Sequence, residues 1–243
     1  MNKQGPSGIS WTDWTWNPVR GLCPVNCKTP DGHEYCYARK IYKRFNLMDM
    51  LYAEIPDRDF DLTLETIILD ETELEKPYSL SKPILQKSKK VFVCSTIELF
   101  HQKIPKEFRD SIFNVIEENQ QVIFQILTKM PENIDRPMPD NVWLGVSITD
   151  GMEMYRWPEI KDKTTARIKF VSYEPIIDEI PFFPKDCSWV IMGRLTGYGR
   201  KYDPKREYIE KFVKWSKESN TPVFLKNNLK SIWGENLIQE FPE

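Results

Sequence analysis

The sequence predicts an α/β fold built on a parallel sheet, and three observations lead there. From residue 91 onward, short apolar runs alternate with charged stretches of helical period. The apolar runs are continuous, as strands are when both faces of a sheet are covered. Each run also ends in polar or charged residues at its carboxyl end, where β/α barrels build their active sites from several strands at once. Strands alternating with helices give right-handed βαβ units and a parallel sheet. About seven such strands suit a barrel or partial barrel better than a small sheet.

In chain order, a first strand is expected near residues 11–16, followed by a Pro- and Gly-punctuated loop holding Cys23, Cys27 and Cys36. Residues 37–46 read as a helix. Ala38, Ile41, Tyr42 and Phe45 recur at spacings of three and four, with Arg39, Lys40, Lys43 and Arg44 around them. Residues 47–90 read as an insertion or lid, acidic over 57–75, with 62–69 as one strand of a short hairpin. Strands then follow at 91–94, 122–127, 142–146, 168–171, 189–192 and 223–225, with helices near 105–119, 150–160 and 205–219. The 243 residues fit one domain with a full core.

Composition narrows the function. A formal net charge of −2 is not the footprint of a protein that coats duplex DNA, although net charge does not report a local basic groove. The first eight residues contain no apolar core, so no secretory signal is expected. No apolar run approaches the ~20 residues of a membrane span. Five cysteines, an odd number, in a chain too long to need disulfide staples point to a reducing cytoplasm. In that setting clustered thiols read as metal ligands or catalysts.

Three residues separate Cys23 from Cys27 and eight separate Cys27 from Cys36. Three soft thiolates select zinc, copper(I) or an iron–sulfur cluster. A 4Fe–4S cluster held by three cysteines leaves one iron open for a substrate or cofactor. Zinc is the rival, because His33 lies inside the loop and Cys23, Cys27, His33 and Cys36 make a Cys3His set. Cys94 and Cys187 lie in or beside apolar strands and read as small buried hydrophobes.

The run C-P-V-N-C…Y-C-Y-A-R resembles the C-x3-C-x2-C-Y-A loop of radical S-adenosylmethionine (radical SAM) enzymes, in particular the branch similar to spore photoproduct lyase. Across nearly the whole chain the sequence resembles the phage Gp37/Gp68 family (DUF5131). Segments W-T-x-x-T-W-N-P (11–18), V-F-V-C-S-T-I-E-L-F-H (91–101), I-L-T-K-M-P-E-N-I (126–134), V-W-L-G-V-S-I (142–148), F-V-S-Y-E-P-I (170–176) and W-V-I-M-G (189–193) carry that likeness in order.

The resemblance implies a partial TIM-type (β/α)6-7 barrel of radical SAM type with an inserted segment. It implies a 4Fe–4S cluster on Cys23, Cys27 and Cys36, with S-adenosylmethionine chelating the fourth iron. An electron from the reduced cluster then cleaves the S–C5′ bond, and the resulting radical abstracts a substrate hydrogen. A flavodoxin- or ferredoxin-type electron donor is the implied partner. Carried over by position, Tyr35 would lie against the adenine, and Ser95, Thr96 and Glu98 near the amino group. Ser147 would reach the ribose, Glu174 and Arg194 the ribose or carboxylate, and Lys129 a carboxylate or substrate phosphate.

Two departures from the pattern stand out. The second and third cysteines are eight residues apart instead of two, as if residues 29–34 were inserted. The loop after the sixth strand reads G-R-L-T-G-Y-G-R, where relatives tend to carry Gly-Gly-Glu-Ser-Gly. For the substrate, Trp14 and Trp16 beside a cationic helix that includes Arg39 could stack a base next to phosphates. A nucleobase, nucleotide or nucleic acid is therefore the expected substrate class. A zinc-stabilised nucleic-acid-binding or structural partner protein without catalysis is the alternative.

Overall fold

Seven parallel strands, laid side by side in the order in which the chain makes them, organise the molecule. The structure is a computed structural model and describes residues 1–6, 8–45, 67–80, 89–179 and 182–243. In chain order the elements begin with β1 (Asn2–Lys3), β2 (Trp14–Trp16), β3 (Val19–Arg20), α1 (Tyr37–Phe45), β4 (Ile68–Leu69) and α2 (Glu71–Leu74). The alternating part follows as β5 (Lys90–Val93), α3 (Lys106–Glu118), β6 (Ile123–Thr128), β7 (Val142–Ser147), α4 (Arg156–Lys163) and β8 (Ile168–Tyr173). It ends with β9 (Trp189–Met192), α5 (Arg206–Ser219), β10 (Val223–Leu225) and α6 (Lys230–Trp233). The expected strands and helices in these regions are present, with ends shifted by a few residues.

Side chains alternate across each strand, so the sheet has two distinct faces. One carries Val91, Val93, Phe124, Ile126, Leu144, Val171 and Val190, which share a core with Ile112 and Phe113 of α3, Ile160 of α4 and Ile209 and Phe212 of α5. The other carries Trp11, Phe92, Trp143, Ile168, Phe170, Trp189, Ile191 and Phe224, a second, largely aromatic core. Here Trp11 stands with its ring centroid 6.2 Å from Trp189 and 6.4 Å from Phe170. Five strand spacings separate β2 from β9, roughly 24 Å if the sheet were flat. The sheet is therefore strongly curled, and its concave face is filled by these rings. Gly145 permits the fit, since a Cβ there would stand 2.3 Å from the Phe170 ring.

The curl does not close into a ring among the described residues. On one edge β1 pairs antiparallel with β2; on the other, residues 238–240 run along β10 through Leu225 N–H to the Ile238 carbonyl and Glu240 N–H to the Val223 carbonyl. Both edges are thus covered by short antiparallel segments instead of by each other, which also blocks further edge pairing. The molecule is accordingly a mixed α/β fold on a mostly parallel, eight-stranded sheet.

The expected insertion at 47–90 lies partly outside the described residues, as do residues 62–66 of its expected strand. Residues 67–80 pack against the body of the fold. Strand β4 pairs with β3 of the cysteine loop instead of making a local hairpin. Asp70 caps α2 and pairs with Arg20, while Leu80 is buried in the main core and Leu74 packs against it. The buried Glu73 takes the N-terminal ammonium and Lys76 as partners, so its charge is compensated.

Candidate metal and cofactor site

The cysteine loop leaves the carboxyl end of β2 and returns as α1. Its six extra residues form a small hairpin. Lys28 and Glu34 bridge, Thr29 N–H donates to the His33 carbonyl at 2.9 Å, and Gly32 turns the chain at φ +86°. The left-handed conformation at Gly32 is one that favours glycine. At the hairpin base Tyr35 N–H donates to the Cys27 carbonyl at 3.1 Å. Cys27 and Cys36 therefore flank the base of the hairpin, and each shifts the pKa of the other.

Cys36 directly precedes α1. The Cys27 thiol donates to it and the backbone N–H groups of Ala38 and Arg39 point at its sulfur, so its pKa falls to about 6. The same hydrogen bond holds the proton on Cys27 and pushes that thiol far up, with burial adding to the effect; the Lys129 ammonium opposes it. Cys23 is buried and raised by desolvation, against the N–H groups of Val25 and Glu98. Each of the three thiols lies within electrostatic reach of another. Among the described residues, no group of three or more His, Cys, Asp or Glu side chains forms a ready-made site for a metal ion.

His33 does not join the thiols. Its Nε2 lies 3.5 Å from Asp31, its ring faces Tyr198 at 6.4 Å, and its side chain is 60% exposed. The tip of the inserted hairpin carries it outward, away from the sulfurs at the base. The nearby donor set is three soft sulfur groups without an imidazole, which fits an iron–sulfur cluster better than a Cys3His zinc centre.

Around the thiols stand the strand ends. Tyr35 is raised by burial and by the nearby Cys27 and Glu153, with Thr149 beyond β7 opposing the shift. Glu153 accepts from Thr149 N–H at 2.7 Å and pairs with Arg156 at 2.7 Å. Arg156 in turn donates to the Ser147 carbonyl at 2.8 Å, and Ser147 is buried. Ser95 and Thr96 both donate to the Asn17 side-chain oxygen, at 3.1 and 3.4 Å. Glu98 is buried and takes Thr128 Oγ1 at 2.6 Å, Lys129 N–H at 2.8 Å and Phe100 N–H at 3.2 Å. It braces the ends of β5 and β6 against each other, and its charge and that of Lys129 reach the thiols.

Other expected residues are placed differently. Glu174 pairs with Lys226, and a Cβ at Gly193 would stand 3.0–3.2 Å from both side chains. Arg194 turns away to the Asn228 carbonyl at 2.8 Å and to Asp203, serving the loop after β9. Arg39 donates to the Cys23 carbonyl at 2.8 Å and lies 3.5 Å from Glu34, so it staples the cysteine loop. Trp16 is fully buried, packs on Phe124 and donates its N–H to the Glu73 carbonyl, which leaves it no free face for a base. Trp14 is half-buried and packs against the same core. The side chains of 43–45 lie outside the described residues. Thr128 and Lys226 are among the polar residues expected at strand ends, whereas sequence reasoning missed Asn17, just past β2, and Glu153, in the turn after β7.

A curled, mostly parallel sheet with a thiol loop and polar strand ends at one rim makes this a mixed α/β protein with a candidate site at that rim. Residues 6–239 match the family described as "Protein of unknown function (DUF5131)", and the chain belongs to that family. No curated protein and no solved structure matches it. Among the described residues, no helix is long and apolar enough to cross a membrane.

Proposed function

We propose that the protein is a radical SAM enzyme on a partial barrel, with Cys23, Cys27 and Cys36 as ligands of a 4Fe–4S cluster. The observation that carries this is the inserted hairpin. By looping out it brings Cys27 and Cys36 together beside Cys23 at the carboxyl ends of the sheet, while carrying His33 away. The likeness of the loop to C-x3-C-x2-C-Y-A, once the hairpin is discounted, supports the same reading. Bound there, the cluster would supply one-electron reductive cleavage of S-adenosylmethionine and so hydrogen abstraction from a substrate.

The chain's own residues would prepare the place. Cys27 and the first N–H groups of α1 lower the Cys36 pKa, which favours the thiolate that binds metal. Lys129 offsets the negative charge that the thiolates gather. Tyr35 offers a ring beside the loop for an adenine, and Ser147, Ser95 and Thr96 offer hydroxyl groups at neighbouring strand ends. A nucleotide or nucleic acid remains the proposed substrate class. It would have to be met by the rim, because Trp16 is committed to the core.

Anaerobic reconstitution with iron and sulfide tests the reading. The expected result is brown protein that bleaches with dithionite and forms 5′-deoxyadenosine from S-adenosylmethionine. Cys36→Ala should abolish cluster assembly, whereas His33→Ala should leave it intact. Colourless wild-type protein holding one tight zinc, lost on changing His33, would overturn it.

A further inference from the structure

The two stretches where the sequence departs from the radical SAM pattern, the hairpin at 28–34 and the loop after β9, touch each other. Asp31 at the hairpin tip accepts from Lys201 and from the Tyr202 hydroxyl, and from Thr29 Oγ1 at 2.6 Å. These partners pull its carboxyl well below the usual range, Lys201 first. Tyr198 donates its hydroxyl to the Glu34 carbonyl, on the strand of the hairpin that leads into Cys36. Lys40 of α1 lies over the Tyr198 ring at 4.5 Å. The loop is itself anchored to the sheet, because Arg194 binds the Asn228 and Gly199 carbonyls and Asp203. A continuous set of contacts thus runs from the ends of β9 and β10, through this loop, to the hairpin that joins Cys27 to Cys36.

We infer that the 194–203 loop is a splint for the cysteine loop, with Tyr198 and Lys201 as positioning residues that hold Cys27 and Cys36 at their working separation. The physical need is plain. Six extra residues between two ligands add conformations to the free loop, and each anchored contact at the hairpin removes some of them. Arg194 acts at one remove, through the loop it fastens. The consequence, a preset ligand spacing, presupposes the three-thiolate centre proposed above; the contacts themselves do not.

Per-cysteine iodoacetamide labelling of the full chain, treated with chelator to remove metal and read by peptide mass spectrometry, tests this. Asp31→Ala, Lys201→Ala and Tyr198→Phe should each speed labelling of Cys27 and Cys36, by about two- to fivefold for an exposed pair. Lys201→Arg should keep wild-type rates. Cys94 and Cys187, both buried, should stay slow in every variant and so report an intact fold. Unchanged rates at Cys27 and Cys36 in the first three variants would overturn the inference. So would a rise shared by Cys94 and Cys187, or a Lys201→Arg protein that labels as fast as Lys201→Ala. Iron and sulfide per chain after reconstitution are measured separately. Wild type that takes up no iron sinks the metal centre while leaving the labelling result standing.

Discussion

Cys36 and Glu98 are both partly or wholly withdrawn from water, yet their environments move their pKa values in opposite directions. Cys36 meets hydrogen-bond donors, and its pKa falls to about 6. In metal-free protein its alkylation should reach its midpoint at lower pH than in the urea-unfolded chain, where the midpoint is about 8.5. A folded-state midpoint at or above 8 would contradict the donor geometry. Glu98 is raised, because burial outweighs the donors it accepts from. A raised carboxyl binds its proton more tightly folded than unfolded, so stability falls as pH climbs from about 4.3 through the folded value. Glu98→Gln should lack that slope. It should also cost about 1–3 kcal/mol at pH 7, since its amide group would face an N–H donor. Urea denaturation at several pH values checks both points.

Single elements explain why the site is where it is. Helix α1 begins at the residue after Cys36, so that thiol sits where free N–H groups collect. Strand β7 carries Gly145 because the neighbouring Phe170 ring fills its side-chain position. Gly145→Ala should cost about 1–3 kcal/mol by overpacking, lowering Tm without altering iron uptake per folded chain. Continuous apolar runs marked β5 to β10, and the helices between them, because their periodicity is local. The partner of β4 was not legible: residues 68–69 pair with 19–20 across some fifty positions, and nothing in either dipeptide specifies the other. The hairpin at 28–34 was legible only as an excess of residues. Its direction outward, and with it the placing of His33, depends on Tyr198, Lys201 and Tyr202 far along the chain.

For the whole molecule, curvature is the property that matters. A sheet of continuous apolar strands with tryptophan and phenylalanine on one face must bury those rings, and with the described helices packed on the other face it does so by curling around them. Trp189 is the hub, within 6.2 Å of Trp11, Trp143, Phe170, Phe224 and Phe241. Its indole also donates to the Glu240 carbonyl, tying the tail across the base of the curl. Trp189→Ala should cost about 3–5 kcal/mol through the cavity it leaves. A loss below 1 kcal/mol by urea denaturation would mean that the rings do not hold the curl.

By itself the sequence determined the α/β class, the positions of the strands, the polar strand ends and the three thiols, because each is written in local pattern or spacing. Tertiary structure alone decided that the sheet curls without closing, that Trp16 belongs to the core, that Arg194 serves a loop and that His33 stands apart from the sulfurs. Those outcomes depend on partners tens to hundreds of residues away, which spacing along the chain does not encode.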